Sequence, residues 1–258
     1  MEANTAEGRT PAHRPTDKTA SGGGLLDYRP VAPMDVIAPA DGASWVEPPR
    51  VVSAEVRARA SLLRGRSFSG PERRARDQRA GRACAAQALR DAGATDVTVG
   101  VGPDRAPRWP SGFAGSITHT ETGEGTFACA VAVRRDCLRS IGIDSERVLD
   151  EDAMREVVPM FLDHAEMRVL HSGLSREIAT VAFSAKESLF KCLFPCAGVF
   201  FEFTDAELEW LRESDANVGS FGLRLRISLG LEFPRGLRIE GRYAIEGALV
   251  HTAVELAP

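Results

Sequence analysis

Residues 140–147 read SIGIDSER and residues 183–191 read FSAKESLFK. In the first, an apolar run ends in charge, the pattern of a buried strand reaching a boundary. Side chains two apart on a strand share a face, so Asp144 and Glu146 project together. Two neighbouring carboxylates repel and are costly unless a cation joins them. All-oxygen ligands suit a hard ion such as magnesium, which takes a few carboxylates and completes its shell with water and phosphate oxygens. The same residues also describe a strand running out into solvent, with Arg147 as an ion-pair partner.

The second stretch has the spacing of a helix. Glu187 and Lys191 lie one turn apart on one face, and Leu189 joins Ile178, Ala182 and Ala185 on the apolar face. A carboxylate with a lysine one turn later can supply a metal ligand or base together with a phosphate clamp. It is also an ordinary helix-stabilising pair, worth ~0.3 kcal/mol. Ser184 and Glu187 have capping-box spacing. The apolar pattern runs unbroken through 179–183, however, which puts Ser184 inside the helix.

Outward from these segments, strands are expected at 97–101, 116–120, 127–133, 140–144, 223–231, 237–245 and 249–256. Helices are expected at 71–93, 152–162, 164–171 and from 175 to about 193, and helix-like patterning also runs from 52 to 65. Residues 1–24 are polar and Gly/Pro-rich and are expected to be disordered, while 25–50 are Pro-rich and irregular. Helices, strands, helices, strands argue for an α+β fold with two similar halves joined near 134–140.

Two further segments carry polar chemistry. Residues 115–120, GSITHT, end a strand in hydroxyls and His119, which can hydrogen bond phosphate. A nucleophilic serine would call for a Gly-x-Ser-x-Gly elbow, and the sequence has none. Residues 72–82 contain five arginines, and Arg74 and Arg82 lie on one helical face. Bidentate guanidinium suits phosphate, and a plain solvated basic face has the same pattern. Nucleic-acid binding would need basic residues beyond one helix and interleaved aromatics, which are lacking.

Composition narrows the classes further. The 258 residues carry a net charge of −4, with 43% hydrophobic and 26% charged residues, as in an ordinary globule. No apolar run approaches membrane-spanning length, and the N-terminus lacks the basic start and apolar core of a secretory signal. Five scattered cysteines suggest neither a disulfide framework nor zinc; Cys84, Cys129 and Cys192 have the surroundings of buried thiols. A cytoplasmic location is the expectation.

Read in order, the Arg-rich helix from Arg73, Pro107-Arg108-Trp109-Pro110, Ser116-Ile117-Thr118-His119, Gly142-Ile143-Asp144-x-Glu146 and Phe183-Ser-x-Lys186-Glu187-Ser188-x-x-Lys191 resemble one family. It is the phosphopantetheinyl transferases of the type that activates surfactin and enterobactin synthetases. The last two motifs, about 40 residues apart, are specific as a spaced pair. The resemblance implies a pseudo-twofold arrangement of two α/β halves with the active site in the cleft between them. Residues 25–139 would form a nucleotide-binding rim and 140–258 the metal-binding and catalytic half. It implies that Asp144, Glu146 and Glu187 hold magnesium on the pyrophosphate of coenzyme A, with Glu187 as general base. Lys191 would contact the phosphate near the leaving group, helped by Lys186. Arg74, Arg82, Arg105, Thr118 and His119 would bind the 3′-phosphate and its surroundings. The partner would be an acyl or peptidyl carrier protein, docking near Phe161, Leu162 and residues 194–203 of a monomeric enzyme. The alternative is a non-catalytic protein of the same fold that binds coenzyme A or a carrier. A magnesium phosphotransferase using a free nucleotide would carry a Gly-rich phosphate loop, and none is present.

Overall fold

The computed structural model describes residues 39, 42–65, 70–102, 104–170, 174–215 and 217–258. The expected tail at 1–24 and most of the Pro-rich segment lie outside the described residues. Helices and strands are mixed, as the α+β reading expects. Strands β1 (Ser44–Val46), β2 (Arg57–Arg64), β5 (Phe113–Thr122) and β6 (Gly125–Arg134) form an antiparallel sheet in the order β1-β2-β6-β5. Helix α1 (Gly70–Asp91) packs on it, and a two-residue pair, β3 (Gly100–Val101) and β4 (Pro107–Arg108), stands apart. A second antiparallel sheet takes β7 (Ser140–Arg147), β11 (Leu249–Leu256), β10 (Arg238–Glu246), β9 (Val218–Leu225) and β8 (Ala206–Asp215), in that order. Helices α2 (Glu151–Phe161), α3 (His164–Val169) and α4 (Arg176–Ala197) lie between β7 and β8 in the chain, and α4 packs on β7 and β11. In each sheet a strand that precedes the main helix pairs with the last strand of the set: β2 with β6, and β7 with β11.

Alternation along β6 shows why the halves pack as they do. Ala128, Ala130 and Ala132 face α1, and their small size lets the helix approach closely. Cys129, Val131 and Val133 face the other way, into a core shared with Ile141 and Ile143 of β7 and Ala253 of β11. The edge strands β5 and β7 meet through side chains. Ile143 N–H donates to Ser116 Oγ and Ser145 N–H to Thr118 Oγ1, both at 3.0 Å. The bonded pairs 116/143 and 118/145 advance in the same direction, so β5 and β7 run parallel.

The structure corrects four expectations. Residues 57–64 form a strand where a helix pattern was read; their Ala, Arg and Leu suit either state, and pairing with β6 decides. The strand expected at 97–101 shrinks to Gly100–Val101. The strand expected at 223–231 begins earlier and stops at Leu225. Strand β8 went unread because Glu, Leu, Arg and Ala dominate it. It is held by cross-strand charge: Glu207 pairs with Arg224, and Glu209 with Arg224 and Arg238.

Candidate active site

Asp144 sits on the face of β7 that α4 covers, and it is 3% exposed, which removes the solvent-running reading of that strand. The close approach depends on Gly142, two residues earlier on the same face. A Cβ there would come within 2.0 Å of Ser188 O and 2.5 Å of Cys192 N on the helix. Helix α4 is capped at its start by Ser175, whose side chain accepts from Ile178 N–H, and it ends at left-handed Gly198. Ser184 is therefore mid-helix, as its apolar surroundings indicated.

The contact brings the acids of β7 under Glu187 and Lys191. Lys191 Nζ lies 2.6 Å from Asp144 Oδ1, Ser184 Oγ donates to Asp144 Oδ2 at 2.8 Å, and Thr118 Oγ1 donates to Oδ1 at 3.3 Å. Burial and the adjacent Asp144 push the Glu146 carboxyl up to about 8, although Lys191 and a hydrogen bond from Thr120 oppose the shift. Burial also raises the Glu187 carboxyl, with Asp144 adding to it and Lys191 opposing it. Burial works against the Lys191 ammonium, but Asp144, Glu187 and Glu146 outweigh it and hold its pKa above the ordinary lysine value. Four ionisable groups thus feel one another, three carboxyls and one ammonium. Among the described residues, no three acid, histidine or cysteine side chains stand in a ready-made ligand arrangement. The donor set still fits a hard cation: all its atoms are carboxylate oxygens, and two of the carboxyls are held toward their protonated forms for lack of positive charge.

Beside Glu187 opens a cavity of about 170 Å³, walled by Phe190, Phe200, Phe201 and Phe203. On the other side, His119 is half-exposed, with Nδ1 3.9 Å from Asp77 Oδ2. Partial burial lowers its pKa, and Asp77 offsets this only in part. Arg74 and Arg105 are exposed.

Two family models match in tandem: the 4′-phosphopantetheinyl transferase N-terminal domain over residues 69–134, and the 4′-phosphopantetheinyl transferase superfamily over 140–242. The 4′-phosphopantetheinyl transferase PptT of Mycobacterium tuberculosis is 32% identical over 179 residues, covering 68% of this chain and 76% of the relative. The chain belongs to the 4′-phosphopantetheinyl transferase superfamily. The transferase Svp of Streptomyces mobaraensis is 34% identical, covering 68% of this chain and 70% of its own length. Enterobactin synthase component D of Salmonella typhimurium is 38% identical over 48% of this chain, and the match spans half of that relative.

Against the residue roles that the phosphopantetheinyl transferase resemblance implied, the structure unites Asp144, Glu146, Glu187 and Lys191 and reassigns others. Lys186 does not join the groups around Asp144, although it lines the cavity beside Glu187. It points away from Asp144, is 2% exposed, and bonds Glu166 Oε1 at 2.6 Å, Phe161 O at 2.5 Å and Phe203 O at 3.1 Å. Helical geometry explains this, because a residue next to Glu187 points about 100° away from it. Thr118 is buried, and its hydroxyl is engaged by Asp144 and Ser145 N–H, so it orients the acid and does not face a nucleotide. The Arg82 guanidinium is taken up by the carbonyls of Val99 and Gly100, tying α1 to β3. Phe161 and Leu162 are core residues at 0% and 3% exposure and cannot dock a partner. Sequence reasoning missed Asp77, Ser188 and Thr252. Ser188 had a readable signal, since 184, 187, 188 and 191 follow helical spacing along one face. Thr252 had none, because it meets α4 only through the register of β11 with β7.

Proposed function

We propose that this chain transfers 4′-phosphopantetheine from coenzyme A to a serine of an acyl or peptidyl carrier protein, releasing 3′,5′-adenosine bisphosphate. The observation that carries the reading is the convergence of Asp144, Glu146, Glu187 and Lys191 at the junction of β7 and α4. Asp144, Glu146 and Glu187 would hold magnesium. Bound there, the ion would neutralise charge on the pyrophosphate, the principal need in phosphoryl transfer. Lys191 adds a fixed positive charge for a phosphate oxygen. Glu187 takes the proton of the incoming serine hydroxyl. The apolar cavity next to Glu187 suits the uncharged pantetheine arm, whose terminal phosphate then faces the acids. His119, Arg74 and Arg105, with side chains open to solvent, would meet the 3′-phosphate end. Phe200, exposed at the cavity wall, and its exposed chain neighbour Val199 form the apolar rim on which the carrier docks.

The same reading takes the two sheets as pseudo-twofold related halves, supported by their shared rule of pairing a strand before the helix with the last strand. It divides the chain at 134–140 into a nucleotide-binding rim and a catalytic half. It places the protein in the cytoplasm as a monomer, supported by five free cysteines and by both halves lying in one chain. Among the described residues, no helix is long and apolar enough to cross a membrane.

Incubation with coenzyme A, magnesium and an apo carrier should add about 340 Da to the carrier, the mass of the transferred arm. Glu187→Gln and chelation of the metal should each abolish the gain. Binding of coenzyme A and carrier with no mass gain in the unaltered chain would leave only the non-catalytic alternative.

A further inference from the structure

Asp144 is the most buried of the three acids, and a line of hydroxyls runs from the core to it. Ser184 Oγ lies 2.8 Å from Asp144 Oδ2. Thr252 Oγ1 lies 2.9 Å from Ser184 Oγ and 2.9 Å from the Ser184 carbonyl oxygen, and Ser188 Oγ lies 2.5 Å from Thr252 Oγ1. All three hydroxyl residues are at 0% exposure. Thr252 stands directly opposite Asp144 in the β7–β11 register, so its side chain rises on the same face toward α4.

The carboxylate fixes the direction of the first proton in the line and constrains those behind it. An ionised carboxylate only accepts, so the single Ser184 hydroxyl proton points at Asp144. Ser184 Oγ is then left as an acceptor toward Thr252. The single Thr252 proton goes to Ser184, hydroxyl or carbonyl, and Thr252 in turn accepts from Ser188. Apolar residues of similar size would fill these buried positions without needing partners. Three hydroxyls ordered toward one carboxylate hold that group in a fixed orientation.

We propose that Ser184 and Thr252 are positioning residues that orient Asp144 for the cation, with Ser188 completing the line. This rests on the magnesium site of the proposed function and adds residues that do not touch the ion. Magnesium chloride titrated calorimetrically into the full-length chain, with coenzyme A saturating, tests it. Ser184→Ala should weaken magnesium binding about tenfold or more, the usual effect of losing a partner behind a metal ligand. Thr252→Val should weaken it in the same direction, and Thr252→Ser, which keeps the hydroxyl, should restore the unaltered affinity. A general loss of packing would not be rescued in that way. If Ser184→Ala fails to fold, the contrast between Thr252→Val and Thr252→Ser decides. Unchanged magnesium affinity in folded Ser184→Ala, or equal affinity in both Thr252 variants, overturns the positioning role while leaving the metal site standing. An unaltered chain that loads carrier yet takes up no magnesium overturns the metal site and this inference together.

Discussion

His251 lies at 1% exposure, its Nδ1 2.9 Å from Ser145 Oγ and its ring 5.3 Å from that of Phe127. Burial drives its pKa down to about 4. The folded chain therefore binds fewer protons at this ring than the unfolded chain does between about pH 4 and 6.5. Stability contributed by the neutral ring is complete above that window and is lost as pH falls through it, a change on the order of 3 kcal/mol. Urea unfolding at pH 7 and pH 4.5 should show this loss, and His251→Gln should flatten it. An equal loss in the variant would assign the acid sensitivity elsewhere. Lys186, a second buried base, shows the same environmental control. Burial lowers its pKa against the pull of Glu166, and the pair joins the end of α2, helix α3 and the middle of α4 to the turn before β8. Lys186, next to Glu187 in sequence, thus serves the fold, and Lys191, four residues after Glu187, pairs with Asp144.

Helix α4 supplies two of the four charged groups, and its distance from β7 is set by one missing side chain. Gly142→Ala would place a Cβ against helix backbone, which cannot yield as a side chain tip can. The helix must shift, at a cost of about 1–3 kcal/mol for an overpacked contact. The shift separates Glu187 and Lys191 from Asp144, so carrier loading should fall much more than thermal stability does. A variant with native loading rate would show that the close approach has no role in the site. Helix α1 makes a parallel approach on β5, where a Cβ on Gly81 would meet Ile117 Cγ2 at 2.6 Å; side chain meets side chain there, and more tolerance is expected.

The two sheets are joined by a shared core and by hydroxyl-to-backbone contacts along β5 and β7, with no backbone ladder between them. Ser116→Ala removes the acceptor of the buried Ile143 N–H, which should cost about 1–3 kcal/mol. The core common to both sheets should keep unfolding cooperative. Fluorescence separates the halves, since Trp45 and Trp109 belong to the first and Trp210 to the second. Variants retaining only one set should report the same urea midpoint for both halves; two midpoints would mark independent domains. The site lies where this junction meets α4, so its four charged groups depend on both halves staying together.

Local spacing was enough for the acids and the lysine of the site: Asp144 and Glu146 by strand alternation, Glu187 and Lys191 by helical spacing. Apolar runs between glycines were enough for β5, β6, β10 and β11, because each run pairs with whatever partner the fold brings. Charge-rich segments such as β2 and β8 were not legible, since their state depends on strands far away in the chain. Nor were the roles of Thr118, Lys186 and Thr252. A hydroxyl or ammonium binds whatever lies within about 3 Å, and that neighbour is fixed by sheet register and by the helix closing on Gly142.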